Sequence, residues 1–416
     1  MFKYIIQFII LFLLWQNNKK AKGGWLTSSS ILLGLYTICS FFGIIELNIG
    51  DYKQPYDSYY WIPMLIFDFF LLAYLMPFRQ FNETKIKKLV LPNRKFLDVF
   101  SVIIIVLSLY SIIFYSKSVV GVFTSGSLKE LRDSNEIMFE EGVFATIGSV
   151  ASENYMFAIV LFFIYTIIGN SRKRCFLLLI SSLSKPVNVL AFVGRDGVVF
   201  WIFTFMFCYA FFRSYMNENL QKNILKSLLR FGIILVIPFF MISISRFGGG
   251  DYGGTGNSII SYLGHAFLHG PLYFGLEDKV INIGGGFPLF YEITGLEKPI
   301  ASGIRNIGEW YSWKFATFIT NLYMYLDLIG LIVVTILFYL LFHHVLTFNR
   351  SKKKMTFGQF IYYLFYFQII SQGVFYFRQY TRGGNLFIVT TMILALLFHL
   401  YVKSIKNPII FNKIQN

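Results

Sequence analysis

The sequence predicts an all-α, polytopic integral membrane protein with about eleven helical spans and two larger extracytoplasmic loops. Three observations predict it. Of 416 residues, 56% are hydrophobic and only 14% are charged, whereas about a quarter of a soluble domain is charged. Phe contributes 49 residues and Tyr 27, and rings on this scale fill lipid-facing grooves and anchor bilayer interfaces. The apolar residues also form unbroken runs, which in lipid means helices, because each helix satisfies its own backbone.

In chain order the runs fall at 2–15, 25–48, 59–77, 96–116, 153–169, 176–193, 197–212, 231–245, 315–345, 357–377 and 385–402. The first is short. Lys3 precedes the apolar stretch Tyr4 to Trp15, and Lys19, Lys20 and Lys22 follow it. No small-residue cleavage site intervenes, so this reads as an uncleaved span rather than a signal peptide. Residues 1–416 read as a single membrane-embedded domain without internal repeats. Cys39, Cys175 and Cys208 lie in or beside apolar stretches and have no disulfide or metal spacing, so they read as packing residues.

The net charge of +16 does not indicate nucleic-acid binding, because the basic residues form short clusters between spans rather than one patch. Such clusters follow the positive-inside rule. With the C-terminal tail inside, the inner segments carry Lys19, Lys20 and Lys22, then 79–95, 172–174, 213–230, 350–354 and the tail lysines. Together these are well over half of the 37 Lys and Arg residues. Acidic residues are biased to the other side. The outer face then has a first loop at 117–152 and a major loop at 246–314. Loops this long in a compact bundle are usually functional.

Arginines at the outer face are the strongest chemical signal. Arg195, Arg246, Arg305, Arg378 and Arg382 lie at outer helix ends or in the major loop, against the usual charge bias. A guanidinium is a permanently charged planar fork that grips phosphate oxygens in pairs. Several such forks at the membrane surface suit a diphosphate whose lipid tail stays in the bilayer. The bland alternative pairs each with a nearby acid: Arg195 with Asp196, Arg246 with Asp251, Arg305 with Glu309.

Other candidates are weaker. Gly248 to Gly250, with Gly253, Gly254 and Gly256, can bring backbone N–H groups close to an anion or serve as a plain hinge. His265 and His269 sit four apart in a stretch that reads as an amphipathic helix. No HExxH spacing supports a zinc pair, so they are candidate general bases or interfacial side chains. Asp68, Lys185 and Asp327 fall within apolar runs, where charge is costly unless paired or wet. Trp310, Tyr311 and Trp313 can stack on sugar rings or form an interfacial belt.

Three stretches carry a family resemblance: "FVGRDGVVFWIF", "ISRFGGGDYGGTGNSIISYLGHAFLHGPLYF" and "FATFITNLYMYLDLIGLIVV". With the overall layout, they resemble the bacterial oligosaccharide repeat-unit polymerases of the Wzy class, which build O-antigen, capsule or exopolysaccharide. The Arg/Gly pattern of some members, with ten residues between the two, does not follow Arg246 or Arg305. The resemblance implies a GT-C-like glycosyltransferase acting on the outer face of the bacterial inner membrane. Its substrates would be undecaprenyl-diphosphate-linked oligosaccharides, its partners a chain-length regulator and a flippase, and it would need no cofactor or metal. It places Arg195, Arg246, His265 and His269 as catalytic candidates, with Arg305, Arg378, Arg382, Trp310 and Trp313 binding substrate.

The nearest alternative is an O-antigen ligase of similar architecture. A polyprenyl-monophosphate-dependent transferase would tend to place paired acids in its first outer loop; here Asp51 and Asp57 lie six apart, and Glu140–Glu141 comes later. A lipid-linked oligosaccharide flippase or other transporter would favour inverted repeats and midplane charge.

Overall fold

The computed structural model describes residues 1–49, 61–124, 142–169, 171–247, 255–274, 285–297, 317–347 and 353–414. Cα packing groups the chain into two compact units. Unit 1 is Met1–Ile86 with Gly256–Leu400, and unit 2 is Lys87–Thr255 with Tyr401–Asn416.

Unit 1 contains α1 (Phe2–Lys22), α2 (Ser28–Ile49), α3 (Trp61–Gln80), α11 (Thr255–Tyr273, from its second residue), α12 (Pro288–Thr294), α13 (Phe318–Thr347), the short strand β2 (Lys354–Thr356), α14 (Phe357–Gln372) and α15 (Arg382–Ser404, through Leu400). Helix α1 packs on α2, α3 on α13, and α14 on α2 and α13. Nearly every residue of α14 is buried, on all faces. A helix buried on every face lies at the centre of its unit, and in α14 that burial includes Gln359, Gln368, Ser371 and Gln372.

Unit 2 contains β1 (Lys88–Leu91), α4 (Arg94–Thr124), α5 (Val143–Ser152), α6 (Tyr155–Ile168), α7 (Arg172–Ser181), α8 (Ser184–Ala191), α9 (Asp196–Phe212), α10 (Glu218–Phe247) and β3 (Ile409–Asn412). Its central helix is α6, buried continuously from Tyr155 to Tyr165. Strands β1 and β3 pair antiparallel, with Lys88 opposite Asn412 and Leu91 opposite Ile409. The tail is therefore tied into the unit rather than hanging from the last helix.

Among the described residues, seven helical segments are long and apolar enough to cross a membrane, and eight if the bent pair α5–α6 counts as one span. The chain is thus a helical polytopic membrane protein with a few short strands. Three features differ from the hydropathy reading. The first loop, expected from 117, is narrower, because α4 continues to Thr124 and α5 occupies Val143–Ser152. Helix α5 forms because it is apolar and packs on α4: Gly148 lies against Tyr115, whose hydroxyl donates to the Ala145 carbonyl at 2.8 Å. The major loop, expected at 246–314, contains α11 and α12. Lastly, α13 is interrupted at Asp327, whose φ of 55° is left-handed. An L-residue rarely adopts that conformation.

Orientation has a direct check. In a background lacking Cys39, Cys175 and Cys208, single cysteines at Ser134 and Asn257 should react with an impermeant thiol reagent on whole cells. A cysteine at Ser351 should not. Labelling of 351 alone would invert the topology.

Candidate functional site

Arg195 is the most strongly constrained of the predicted residues. The chain leaves α8 through a tight turn in which the Gly194 N–H donates to the Val189 carbonyl at 2.9 Å. Val193 sits there at φ 54°, a costly conformation for a β-branched residue. A Cβ on Gly194 would lie 2.6 Å from Val189 Cγ1, and one on Gly197 would lie 2.8 Å from Val189 Cβ. Only glycine fits on either side of Val189, which accounts for the "VGRDG" spelling. Val193 joins Val122, Leu190 and Ile242 in a buried cluster that anchors the turn.

The turn delivers Arg195 to the N-cap of α9, with Asp196 in the first turn. An acid there complements the helix dipole. The Arg195 side chain is buried, at 6% exposure, and donates to Ser243 Oγ of α10 at 2.8 Å. Its guanidinium lies 5.8 Å from the centre of the Phe239 ring. Arg246 occupies the same helix, three residues after Ser243. Also in unit 2, Lys185 pairs with Glu153 at 2.6 Å, at the break between α5 and α6. That pairing answers the charge that the sequence placed in an apolar run.

In unit 1, backbone contact between α2 and α11 builds a buried acid–base pair. A Cβ on Gly264 would come within 2.6 Å of the Phe42 and Gly43 backbone. Small residues permit such close helix approach in membranes. Glu46 follows Gly43 by nearly one turn, and His265 follows Gly264. The two side chains meet at 3.1 Å, Nδ1 to Oε1, with 6% and 2% exposure. A carboxylate against one ring nitrogen fixes the tautomer and orientation of the other. His269 lies one turn further along α11. Asp68, also singled out from sequence, accepts from Gln7 Nε2 at 2.5 Å.

Arg378 and Arg382 border the turn between α14 and α15, also in unit 1. Arg378 lies in a short 3-10 helix, Arg378–Tyr380. Arg382 opens α15 and meets Glu292 of α12 at 2.8 Å, both side chains being exposed. Asn385 fastens α12 to this turn: its amide donates to the carbonyls of Gly286 at 3.0 Å and Gln379 at 2.6 Å. Exposed ion pairs hold their partners weakly, so Arg382 keeps most of its capacity for an anion.

Arg195 and Arg246 thus belong to unit 2, and His265, His269, Arg378 and Arg382 to unit 1. Arg305, Trp310 and Trp313 lie outside the described residues, as do Gly248–Gly250, Gly253, Gly254, Asp51, Asp57, Glu140 and Glu141. Residues missed from sequence are Ser243, Glu46, Glu292 and Asn385. Glu46 had a usable signal, a lone carboxylate in the apolar "GIIELN", by the same reasoning that marked Asp68. No protein-family model matches the chain, and no curated protein or solved structure matches it.

Proposed function

We propose that the chain is a glycosyltransferase that polymerises undecaprenyl-diphosphate-linked oligosaccharide repeat units on the outer face of a bacterial inner membrane. On this reading α1, α10 and α14 also cross the bilayer, bringing the total to about eleven spans. The observation that carries it is Arg195: a buried guanidinium at a predicted outer helix end, fixed in a glycine-locked turn. Such a group is preorganised for charge that develops on a leaving diphosphate.

In the reaction an acceptor sugar hydroxyl attacks the anomeric carbon of the donor glycan. The C–O bond to the diphosphate breaks, and the diphosphate departs with the electron pair. The hydroxyl proton passes to a base, for which His265, oriented by Glu46, and His269 are the candidates. Arg195 and Arg246 steady the departing diphosphate, with Arg305, Arg378 and Arg382 as further binding groups and Trp310 and Trp313 as sugar platforms.

Cells lacking the chain test the reading. They should lose the polysaccharide ladder on a gel yet still display single repeat units, because export and ligation continue. Loss of the single-unit band as well would favour a ligase or a flippase.

A further inference from the structure

A second basic site lies wholly within unit 1, at the ends of α3 and α13 and the start of α14. There a cavity of about 110 Å³ is lined by Lys85, Lys353, Lys354, His343, Tyr339 and Gln359. Among the described residues no carboxylate lines it. The nearest acid in sequence, Glu83, is turned inward. It accepts from the Ser28 N–H at 2.6 Å and the Tyr363 hydroxyl at 3.0 Å, so it does not neutralise Lys85.

The cations are held in place by the fold. Asn82 caps the short 3-10 turn that carries Lys85, accepting from the Thr84 N–H at 3.0 Å. The buried Lys22 ammonium secures the end of α3 by donating to the carbonyls of Phe78 at 2.8 Å and Phe81 at 2.5 Å. Lys353 stands in a left-handed conformation, φ 49°, and the strand β2 begins at once with Lys354. Immediately afterwards, Thr356 and Gln359 form a reciprocal capping box that starts α14, and the Gln359 amide donates to the Val345 carbonyl of α13 at 2.7 Å. The lysines therefore sit on a braced frame, with exposed ammonium groups around a pocket.

Size and lining select the ligand. Pockets for whole small molecules run to roughly 300–1,000 Å³, so this one takes a phosphoryl group while the rest of the molecule stays outside. Phe81, Phe342 and Leu346 give it an apolar wall, and both α3 and α13 are apolar enough to cross a membrane. Ammonium groups at the end of a span are placed for an anionic headgroup. We propose that this cavity binds the phosphate of an anionic phospholipid whose acyl chains remain in the bilayer. The proposal does not depend on the glycan reading.

The test uses full-length protein in detergent, with lipid retention read by native mass spectrometry for phosphatidylglycerol and phosphatidylcholine. Wild type should retain phosphatidylglycerol preferentially. Combined Lys85→Gln, Lys353→Asn and Lys354→Gln should weaken that retention about tenfold; Asn tolerates the left-handed backbone at 353. Lys222→Gln, Lys226→Gln and Lys406→Gln together remove the same charge from exposed positions in unit 2 and should leave retention unchanged. Should the cavity triple variant elute as aggregate, Lys85→Gln alone is read in the same way, with a smaller loss expected. Equal losses in the two triple variants, or none in the cavity variants, would overturn the proposal. So would displacement of the lipid by an equal concentration of inorganic phosphate, which would mark a free-anion site.

Discussion

Arg195→Ala is expected to abolish polymer formation while the protein remains in the membrane fraction. If the guanidinium acts like one oxyanion-stabilising donor, its loss removes about 2.7–4 kcal/mol of transition-state stabilisation, or roughly 10²- to 10³-fold in rate. Arg195→Lys keeps the charge but loses the paired fork, so it should also be impaired, though less severely. Because Arg195 donates to Ser243, a purely structural role needs separating from a chemical one. Ser243→Ala removes that hydrogen bond and keeps the guanidinium. It should cost about 1.5–3 kcal/mol of stability and leave most of the ladder. If Ser243→Ala is as damaging as Arg195→Ala, or if Arg195→Ala keeps a full ladder at normal protein level, Arg195 does not act on the diphosphate.

The second large effect is on stability. Gly264→Val should lower the unfolding temperature sharply and deplete the protein from the membrane. Its Cβ would lie 2.6 Å from backbone atoms of Phe42 and Gly43, which cannot rotate away as a side chain can. The cost should reach about 3 kcal/mol, at the upper end for overpacking. Separating α2 from α11 would also pull Glu46 away from His265. Gly232→Ala in α10 is the matched control. A Cβ there meets nothing within 4 Å, so replacing a helical glycine should be neutral or stabilising by about 0.5–1 kcal/mol. Thermal unfolding in detergent reads both. Equal behaviour of the two variants would mean that the α2–α11 contact is not tight.

Hydropathy located the helices because the bilayer imposes a one-dimensional signal: a span is a run of apolar residues wherever it packs. Every predicted span overlaps a helix in the fold. Features that depend on distant partners carried no such signal. Strand β3 is a short apolar run at the tail that becomes a strand only because β1 offers a matching edge. Helix α5 reads as loop in the sequence because its ten residues are too few to span a bilayer and two acids precede it. The break at Asp327 is a backbone event inside a run whose composition is helical throughout.

At the site, residue types were legible and partners were not. Arg195 stood out through charge against topology, and the crowded Val189 explains its flanking glycines only once α8 is in place. Ser243, which holds the guanidinium, is an ordinary serine in sequence. Lys185 stands out in the sequence as costly in lipid, but its partner, Glu153, lies 32 residues earlier at the edge of the preceding apolar run. The Glu46–His265 pair is set by a glycine–glycine contact between helices far apart in the chain, which no local pattern encodes.

The decisive measurement uses purified protein in phospholipid vesicles, supplied with a single undecaprenyl-diphosphate-linked repeat unit. A ladder of polymer should form with release of one undecaprenyl diphosphate for each linkage, and neither should be lost in excess EDTA, because arginines rather than a metal steady the leaving group. Absence of any polymer from correctly folded protein would contradict the assignment. Polymer that vanishes with EDTA and returns with a divalent cation would contradict the arginine mechanism.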